Sequence, residues 1–562
     1  MLRPVPPVGQ VPQATAELAR KVHPRGTDEM RVRDALGPLF TDTDLATGVF
    51  AGMYPNLGQP GLSPALLTMV MILQFRHNLS DRDAAQAVCD RISWKYALGL
   101  ELDYTGFDPS VLTEFRARLV DTGCVDALLD LMLDRLKAAG LVKAGGRQRT
   151  DSSHIIAAVR RLNRVETVGE TLRSALEAIA RVSPGWVVPL LEPGWDERYG
   201  RRVETSRLLR HRNASAQALA EQIGADGRKL LAAIGADPVA SWMHTLPEVA
   251  VLRLVWDQQY TPDSTGRLRL RTTEELAPAA ERVHSPYDPE ARYSTRRSTG
   301  EHATGWVGSK VHLTESCDVD LPNLVTDVHT TAATEPDVAA TTTIQDRLIS
   351  RGLAPAEHVA DAGYPSADNL AGSAKRDITL VAPVTVAIGR NAGKGTFTPA
   401  DFQIDWDAQT ATCPAGVISK PMRPDKRRGL VTFAFSIRDC RGCPIRDQCT
   451  LAKPNTPRTL TIHPQPVHEA RTAAQAAQGS DHWRKAYHSR AGIEGTISQA
   501  VRGPDIRHAR YRGLAKTHLQ NVLTGMAINI GRLGAYLDVS PTTPRRPTRI
   551  HQLCLTYGLA AA

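Results

Sequence analysis

The stretch Arg147-Gln148-Arg149-Thr150-Asp151-Ser152-Ser153-His154-Ile155 is where the helical spacing of the preceding chain gives way to a short strand, and that strand carries an acid, Asp151. Upstream, residues 27–140 read as helical. Ala65 to His77 is a compact apolar run. Ser80 caps the next segment, with Asp83 three residues on imitating a capping box. Asp108 beside Pro109 opens a third helix through Val111, Leu112, Phe115 and Leu119. Arg116 and Arg118 on that helix fit a helix-turn-helix-like DNA reader, and the same pattern fits a plain helical bundle.

Downstream, residues 163 to about 285 return to helical periodicity, with Leu172, Leu176, Ile179 and Ala180 at core spacing. We read them as a helical insertion, closed by a polar hinge from Ser285 to Glu301. Trp306 to Leu313 then alternates, Val307, Ser309, Val311 and Leu313 against Trp306, Gly308, Lys310 and His312, as a strand does. Leu324 to Val328, Glu357 to Asp361 and Thr379 to Ala382 are further strands, with a helix from Asp337 to Leu353 among them. Strands alternating with helices predict a mixed α/β core, split into residues 141–162 and 301–389. The remaining parts are a Pro-rich segment 1–26, a β-prone cysteine-bearing insertion 390–465, helices over 466–540 and a Pro/Arg-rich tail 541–562. The chain is thus expected to be multi-domain α/β.

The chain carries a net charge of +9. From Arg471 to Ala562 there are 13 Lys/Arg against 4 Asp/Glu, so these last 92 residues hold the whole excess. A polyanion partner is expected there, because Lys and Arg displace counterions from phosphate. Met1 to Gly26 does not read as a signal peptide, and Leu66 to Phe75 is too short to span a bilayer. Eight cysteines without an export signal suggest reduced thiols or metal ligands. A soluble, cytoplasmic, nucleoid-associated protein is expected.

Three short motifs carry acids or their neighbours: Thr150-Asp151-Ser152-Ser153-His154 in the strand, Asp361-Ala362-Gly363-Tyr364 where another strand runs out, and Tyr487 to Glu494 in a helix. In the last, Tyr487, Arg490 and Glu494 fall at i, i+3 and i+7, on one helical face. Singly, such an Asp is most often a turn or cap residue, and such an Arg and Glu a solvated ion pair. Their order along one basic chain is the signal.

In that order the motifs resemble those of DDE transposases from bacterial insertion sequences, which use an RNase H-like catalytic domain. The resemblance runs over nearly the whole chain, including Asp103-Tyr104-Thr105-Gly106-Phe107, the cysteine region and Arg507 to Asn529. It implies that Asp151, Asp361 and Glu494 form a metal-binding catalytic triad, and that Tyr487 and Arg490 orient the Glu or contact phosphate. It implies terminal-repeat and target DNA as partners, and a homodimer or higher oligomer on DNA. Related elements often carry Lys seven residues after the Glu. Here Val501 stands there with Arg502 beside it, turned roughly 100° away on the helix.

The chemistry suits the residue types. Three carboxylates drawn together raise each other's pKa and persist ionised only with cations between them. Hard oxygen ligands suit Mg²⁺ or Mn²⁺, and two such ions can serve an in-line displacement at phosphorus. The carboxylates are therefore expected within ~10 Å of each other. Asp327 is the rival for a triad place, and is expected to face solvent.

Cys413, Cys440, Cys443 and Cys449 fall within 37 residues; four thiolates suit a structural Zn²⁺, and reduced free cysteines are the alternative. Cys89, Cys124, Cys317 and Cys554 read as buried core. Arg507, Arg510, Arg512 and Lys516, with Tyr511 and His518 interleaved, would suit a DNA backbone. Lys310 and His312 are weaker candidates for the same role, and His154 reads as a satisfied polar residue. Two other functions stay open: a DNA-binding regulator derived from a transposase, and a metal-dependent nuclease that cuts without joining.

Overall fold

A helix that is apolar on every side belongs inside a protein, and α1 (Pro64–Arg76) has 11 of its 13 residues buried. The computed structural model describes residues 10–46, 50, 53, 61–160, 162–202, 214–296, 304–385, 397–453, 455–538 and 549–557. Most of the expected Pro/Arg-rich tail, the first nine residues and the end of the expected hinge lie outside them. Ser63 caps α1 by accepting from the Leu66 amide, and Ser80 caps the next helix through the Asp83 amide. Asp108 accepts from the Ser110 amide at the head of α2 (Ser110–Asp121), which is followed by α3 (Val125–Ala138). Arg116 does not point outward from α2. It is buried, ion-paired with Asp81, and lies over the ring of Tyr511, so it is withdrawn from any base edge.

The central sheet begins with β1 (Arg147–Ile156) and continues, after an intervening stretch, with β2 (Arg292–Arg296), β3 (Thr304–Ser316) and β4 (Val325–Ala332). β3 runs antiparallel to β1, Asp151 standing opposite Leu313. Its other edge takes β2 along the N-terminal half and β4 along the C-terminal half. Helix α4 (Asp337–Ser350) then crosses to β5 (Glu357–Val359), and α5 (Ala367–Ala374) to β6 (Thr379–Val381). β5 is parallel to β1 and β6 parallel to β5, as helical crossovers require. Leaving β2 aside, the order is β4-β3-β1-β5-β6. The mixed α/β expectation holds. β2 is an addition: its polar run Arg-Tyr-Ser-Thr-Arg lacks apolar alternation, and the sequence reading placed it in a hinge.

Helix α6 (Asp481–His488), α7 (Ala491–Arg502) and α8 (Leu514–Tyr536) complete the core. α8 lies between the N-terminal helices and the sheet. A Cβ at Gly525 would come within 2.9 Å of Val328, and one at Gly531 within 2.1 Å of the Arg76 guanidinium, so β4 and α1 approach α8 where it has no side chain. Phe75, Phe115, Leu128, Val311, Val325 and Met526 belong to one continuous buried cluster.

The described residues between 164 and 283 pack on a core of their own. Asn163 and Glu166 form a capping box at the head of the helix Arg164–Val182, whose Leu172, Ala175, Leu176 and Ile179 are buried with Trp256 and Tyr260. Ala180 is exposed, contrary to expectation; Ala175 sits at the inward i+3 position instead. Residues 397–462 hold a third core, around Phe402, Phe433, Phe435 and Leu460, between a three-stranded and a two-stranded antiparallel sheet. Of the four cysteines expected in the core, only Cys124 is buried; Cys89, Cys317 and Cys554 are half-buried. Among the described residues no helix is long and apolar enough to cross a membrane.

Candidate active site

Asp151 sits in mid-strand on β1, its side chain only 16% exposed. One carboxylate oxygen accepts from the Ser152 amide (2.7 Å) and the other from Arg490 Nη1 (3.1 Å). The second nitrogen of that guanidinium donates to Glu494 Oε1 (2.7 Å). A single Arg490 therefore bridges two acids that are 343 residues apart in the chain.

Asp361 lies two residues beyond the end of β5. Its Oδ1 accepts from the Gly363 amide (2.8 Å), and the loop is pinned by Tyr364. That ring is fully buried, its hydroxyl bonded to His312 Nδ1 (2.8 Å), and its carbonyl accepts from Thr341 and Asn369. The Asp151 carboxyl is raised to about 6, by burial first, with Asp361 and Asp337 adding to the rise and the Ser152 amide and Arg490 opposing it. The Arg490 guanidinium is held above its usual range by Asp151, Tyr487, Glu494 and Asp361, against the effect of its burial. All three expected acids thus act on one guanidinium.

Among the described residues no three His, Cys, Asp or Glu side chains are gathered closely enough to hold a metal ion as they stand. Between Asp151 and Glu494 the cation present is Arg490.

The sequence reading missed Asp337, the first residue of α4. It accepts from Ser152 Oγ (3.1 Å) and Lys310 Nζ (2.8 Å). A Cβ at Gly363 would stand 3.0 Å from Asp361 Oδ1 and 3.4 Å from Asp337 Oδ2, so the two carboxylates flank one point of backbone. An acid in a first helical turn looks like a dipole partner, which is why it raised no signal.

The segment from Tyr487 to Glu494 is not one helix: α6 ends at His488 and α7 starts at Ala491. At the break the Ser489 carbonyl accepts from the Gly492 amide and also from Arg149 Nη1 (2.6 Å). Asp327 does not face solvent. It is fully buried between Arg347 and Arg351, which also hold Asp126 and Asp130 of α3, so it clamps the N-terminal helices to the sheet. Lys310 and His312 are engaged with Asp337 and Tyr364, Lys310 donating to the Asp337 carboxylate and His312 bonding the Tyr364 hydroxyl.

Arg510 is also drawn inward, donating to the Leu79 carbonyl and Asn78 and lying over the Phe75 ring. Arg512 and Lys516 are exposed, Arg512 stacked on Tyr287. Arg507 is half-buried, and its backbone brackets the end of β1: its carbonyl accepts from the Ile156 amide. Tyr487 stacks on Trp483, centroids 4.8 Å apart. Arg502 is exposed and bonds Ser498 of its own helix. Cys413, Cys440, Cys443 and Cys449 line one pocket with Phe435 and Arg458.

Two family models match the chain: a transposase DDE domain over residues 412–534, and a transposase domain (DUF772) over residues 26–118. No curated protein and no solved structure matches it.

Proposed function

The chain belongs to the DDE-type transposases of insertion sequences, and from that premise we propose that it cleaves the ends of its element and joins them to target DNA with Asp151, Asp361 and Glu494 as the catalytic acids. The observation that carries this reading is the bridge that Arg490 makes between Asp151 on β1 and Glu494 on α7, with the Asp361 loop close enough to raise the Asp151 carboxyl. The sheet order, three antiparallel strands followed by two parallel ones, supports an RNase H-like core with the first acid on its first strand and the second just past its fourth.

The donor chemistry, carboxylate oxygens, suits hard divalent ions, and the three acids would have to close further than they stand here to share one. Asp151 is buried beside two further carboxylates, and its raised pKa expresses a want of positive charge. Two Mg²⁺ or Mn²⁺ ions held by the triad would lower the pKa of the attacking water or hydroxyl and stabilise the leaving oxygen. The protein's part is to hold the acids ionised and the strand in line. In the first step water attacks phosphorus, the P–O3′ bond breaks, and a 3′-hydroxyl is released. In the second that hydroxyl attacks a target phosphodiester, forming one bond and releasing the target's own 3′-hydroxyl. Arg490, freed from a carboxylate, offers a fork that suits phosphate, and Arg512 and Lys516 are the exposed cations for the flanking backbone. Cys413, Cys440, Cys443 and Cys449 line one pocket without being gathered closely enough to hold an ion as they stand; closing on Zn²⁺ would make them a structural site, and a homodimer or higher oligomer on paired DNA ends is the expected assembly.

The test is cleavage and joining of the element's terminal DNA by purified protein with Mg²⁺, Mn²⁺ or EDTA, beside Asp151→Asn, Asp361→Asn and Glu494→Gln. Metal-dependent nicking and joining, lost in all three variants with DNA binding retained, is the expected result. Binding without cleavage in any metal would point to a regulator, cleavage without joining to a nuclease, and cleavage surviving a variant to a different acid.

A further inference from the structure

The acids on β1 and α7 come from distant parts of the chain, and something has to fix the distance between them. Glu315 of β3 is fully buried and holds two arginines at once. Its Oε1 accepts from Arg149 Nε (2.6 Å) and is ion-paired with Nη2 of the same guanidinium (2.6 Å). Its Oε2 accepts from Arg532 Nη1 and from the Thr496 hydroxyl. Arg532 also donates to Thr496 Oγ1 and to the Asn323 carbonyl.

Each partner is tied to a catalytic element. Arg149 lies two residues before Asp151, on the same face of β1. Thr496 lies two residues after Glu494, so it turns inward where Glu494 turns out. Arg149 also binds the Ser489 carbonyl at the break before α7. A Cβ at Gly492 would come within 2.1 Å of the Arg149 guanidinium, so α7 can reach this position only with glycine there. Arg532 sits on α8 and backs the cluster from the far side.

We propose that Glu315, clasped by Arg149 and Arg532, is the positioning residue that sets the separation of Asp151 from Glu494 and thereby the affinity of the site for divalent cation. The inference rests on the reading of those two acids as metal ligands. A buried carboxylate that accepts on both oxygens from two guanidiniums and a hydroxyl is held in a narrow range of geometry, so a shift of α7 along β1 breaks several charged hydrogen bonds together. Glu315 touches no substrate. Its effect passes through Thr496 and Arg149 to the acids beside them.

The test is a titration of the full-length protein with Mn²⁺, read by the loss of the free-ion electron paramagnetic resonance signal, with cleavage measured in parallel. Glu315→Gln should raise the half-saturating Mn²⁺ concentration at least tenfold, and cleavage should recover in large part when Mn²⁺ is raised to saturation. Thr496→Val removes a single hydroxyl from the clasp and should shift the midpoint in the same direction by a smaller factor; it keeps the question answerable if Glu315→Gln does not fold. Asp327→Asn opens the other buried cluster, away from Glu494, and should leave the midpoint unchanged. An unshifted midpoint in both clasp variants, or an equal shift in Asp327→Asn, overturns the proposal. Asp151→Asn separates the two readings: if it too leaves Mn²⁺ binding unchanged, the metal-site reading itself fails.

Discussion

Replacing Asp151 with asparagine should stabilise the metal-free protein at neutral pH, although it removes a catalytic acid. The carboxyl is raised from 3.8 to about 6, by burial above all, with Asp361 and Asp337 adding to it. At ~1.4 kcal/mol per unit, an ionised Asp151 costs the fold about 3 kcal/mol well above pH 6. The folded chain holds this proton more tightly than the unfolded one. The stability it contributes is therefore complete below about pH 4 and is lost as the pH rises through about 6. Asparagine carries no charge to bury, so its advantage should be absent near pH 4 and grow toward about 3 kcal/mol by pH 8. Urea unfolding in EDTA at several pH values, followed by tryptophan fluorescence, measures the difference. Adding Mn²⁺ should reverse the order, since only the wild type gains from the ion. A variant less stable than wild type at pH 8 in EDTA would mean that the Arg490 ion pair outweighs burial and crowding, and the reasoning would fail. A gain that does not change with pH would place its origin elsewhere.

Arg510→Ala should lower thermal stability and leave the salt dependence of DNA binding unaltered, because its donors are already engaged with Asn78 and Leu79. Arg512→Ala or Lys516→Ala should each reduce the slope of log K against log salt by ~1; an unchanged slope in both would remove this loop from the DNA path. Cys443→Ser should abolish stoichiometric zinc, measured by plasma mass spectrometry on protein purified without chelator, and render residues 397–462 sensitive to protease. Wild-type protein free of zinc would instead make these four thiols ordinary half-buried cysteines.

What could be read from the sequence was whatever repeats along a single element. Alternation marked β3, the fully apolar run marked α1, and the cap residues Ser80 and Asp108 marked helix starts. The acids Asp151, Asp361 and Glu494 stood out through short motifs around them. What could not be read was pairing. Arg149 meets Glu315 across 166 residues and Arg490 meets Asp151 across 339, and no local pattern names such partners. The same blindness sent Asp327 to solvent and left Arg116 open to either DNA or a helical bundle, when each is a buried charge whose counter-charge lies on another element. Asp337 was hidden differently, by a position that already explained it. Where periodicity misled, as at Ala180, the cause was a choice between neighbouring inward positions, and packing against Trp256 and Tyr260 decided it.

The long gaps between the acids do not disturb the sheet, and the strand register shows why. Gly308 of β3 pairs with Ile156, the last residue of β1, on one edge and with Arg292, the first of β2, on the other. The chain that leaves after β1 therefore returns one strand away, whatever it does in between. A Cβ at Gly308 would fall within 1.9 Å of the Ile155 carbonyl, so this close meeting of exit and return depends on glycine. The second excursion leaves after Val381 on β6 and returns at the helix Gln465–Ala477, whose Ala470 and Ala474 pack on the cluster of Leu370 and Leu380, ahead of α6, where Ala486 packs with Val381 and Val359. Each intervening segment buries its own apolar cluster, around Leu172 and Trp256 in one and Phe433 in the other. The entropy of closing a long loop grows only logarithmically with its length. A segment that carries its own core and is held at both ends on the sheet can therefore lengthen without moving Asp151, Asp361 or Glu494. Residues that fix those acids must then lie on the sheet and on α7 and α8 and not in the excursions, which is where Arg149, Glu315, Thr496 and Arg532 are found.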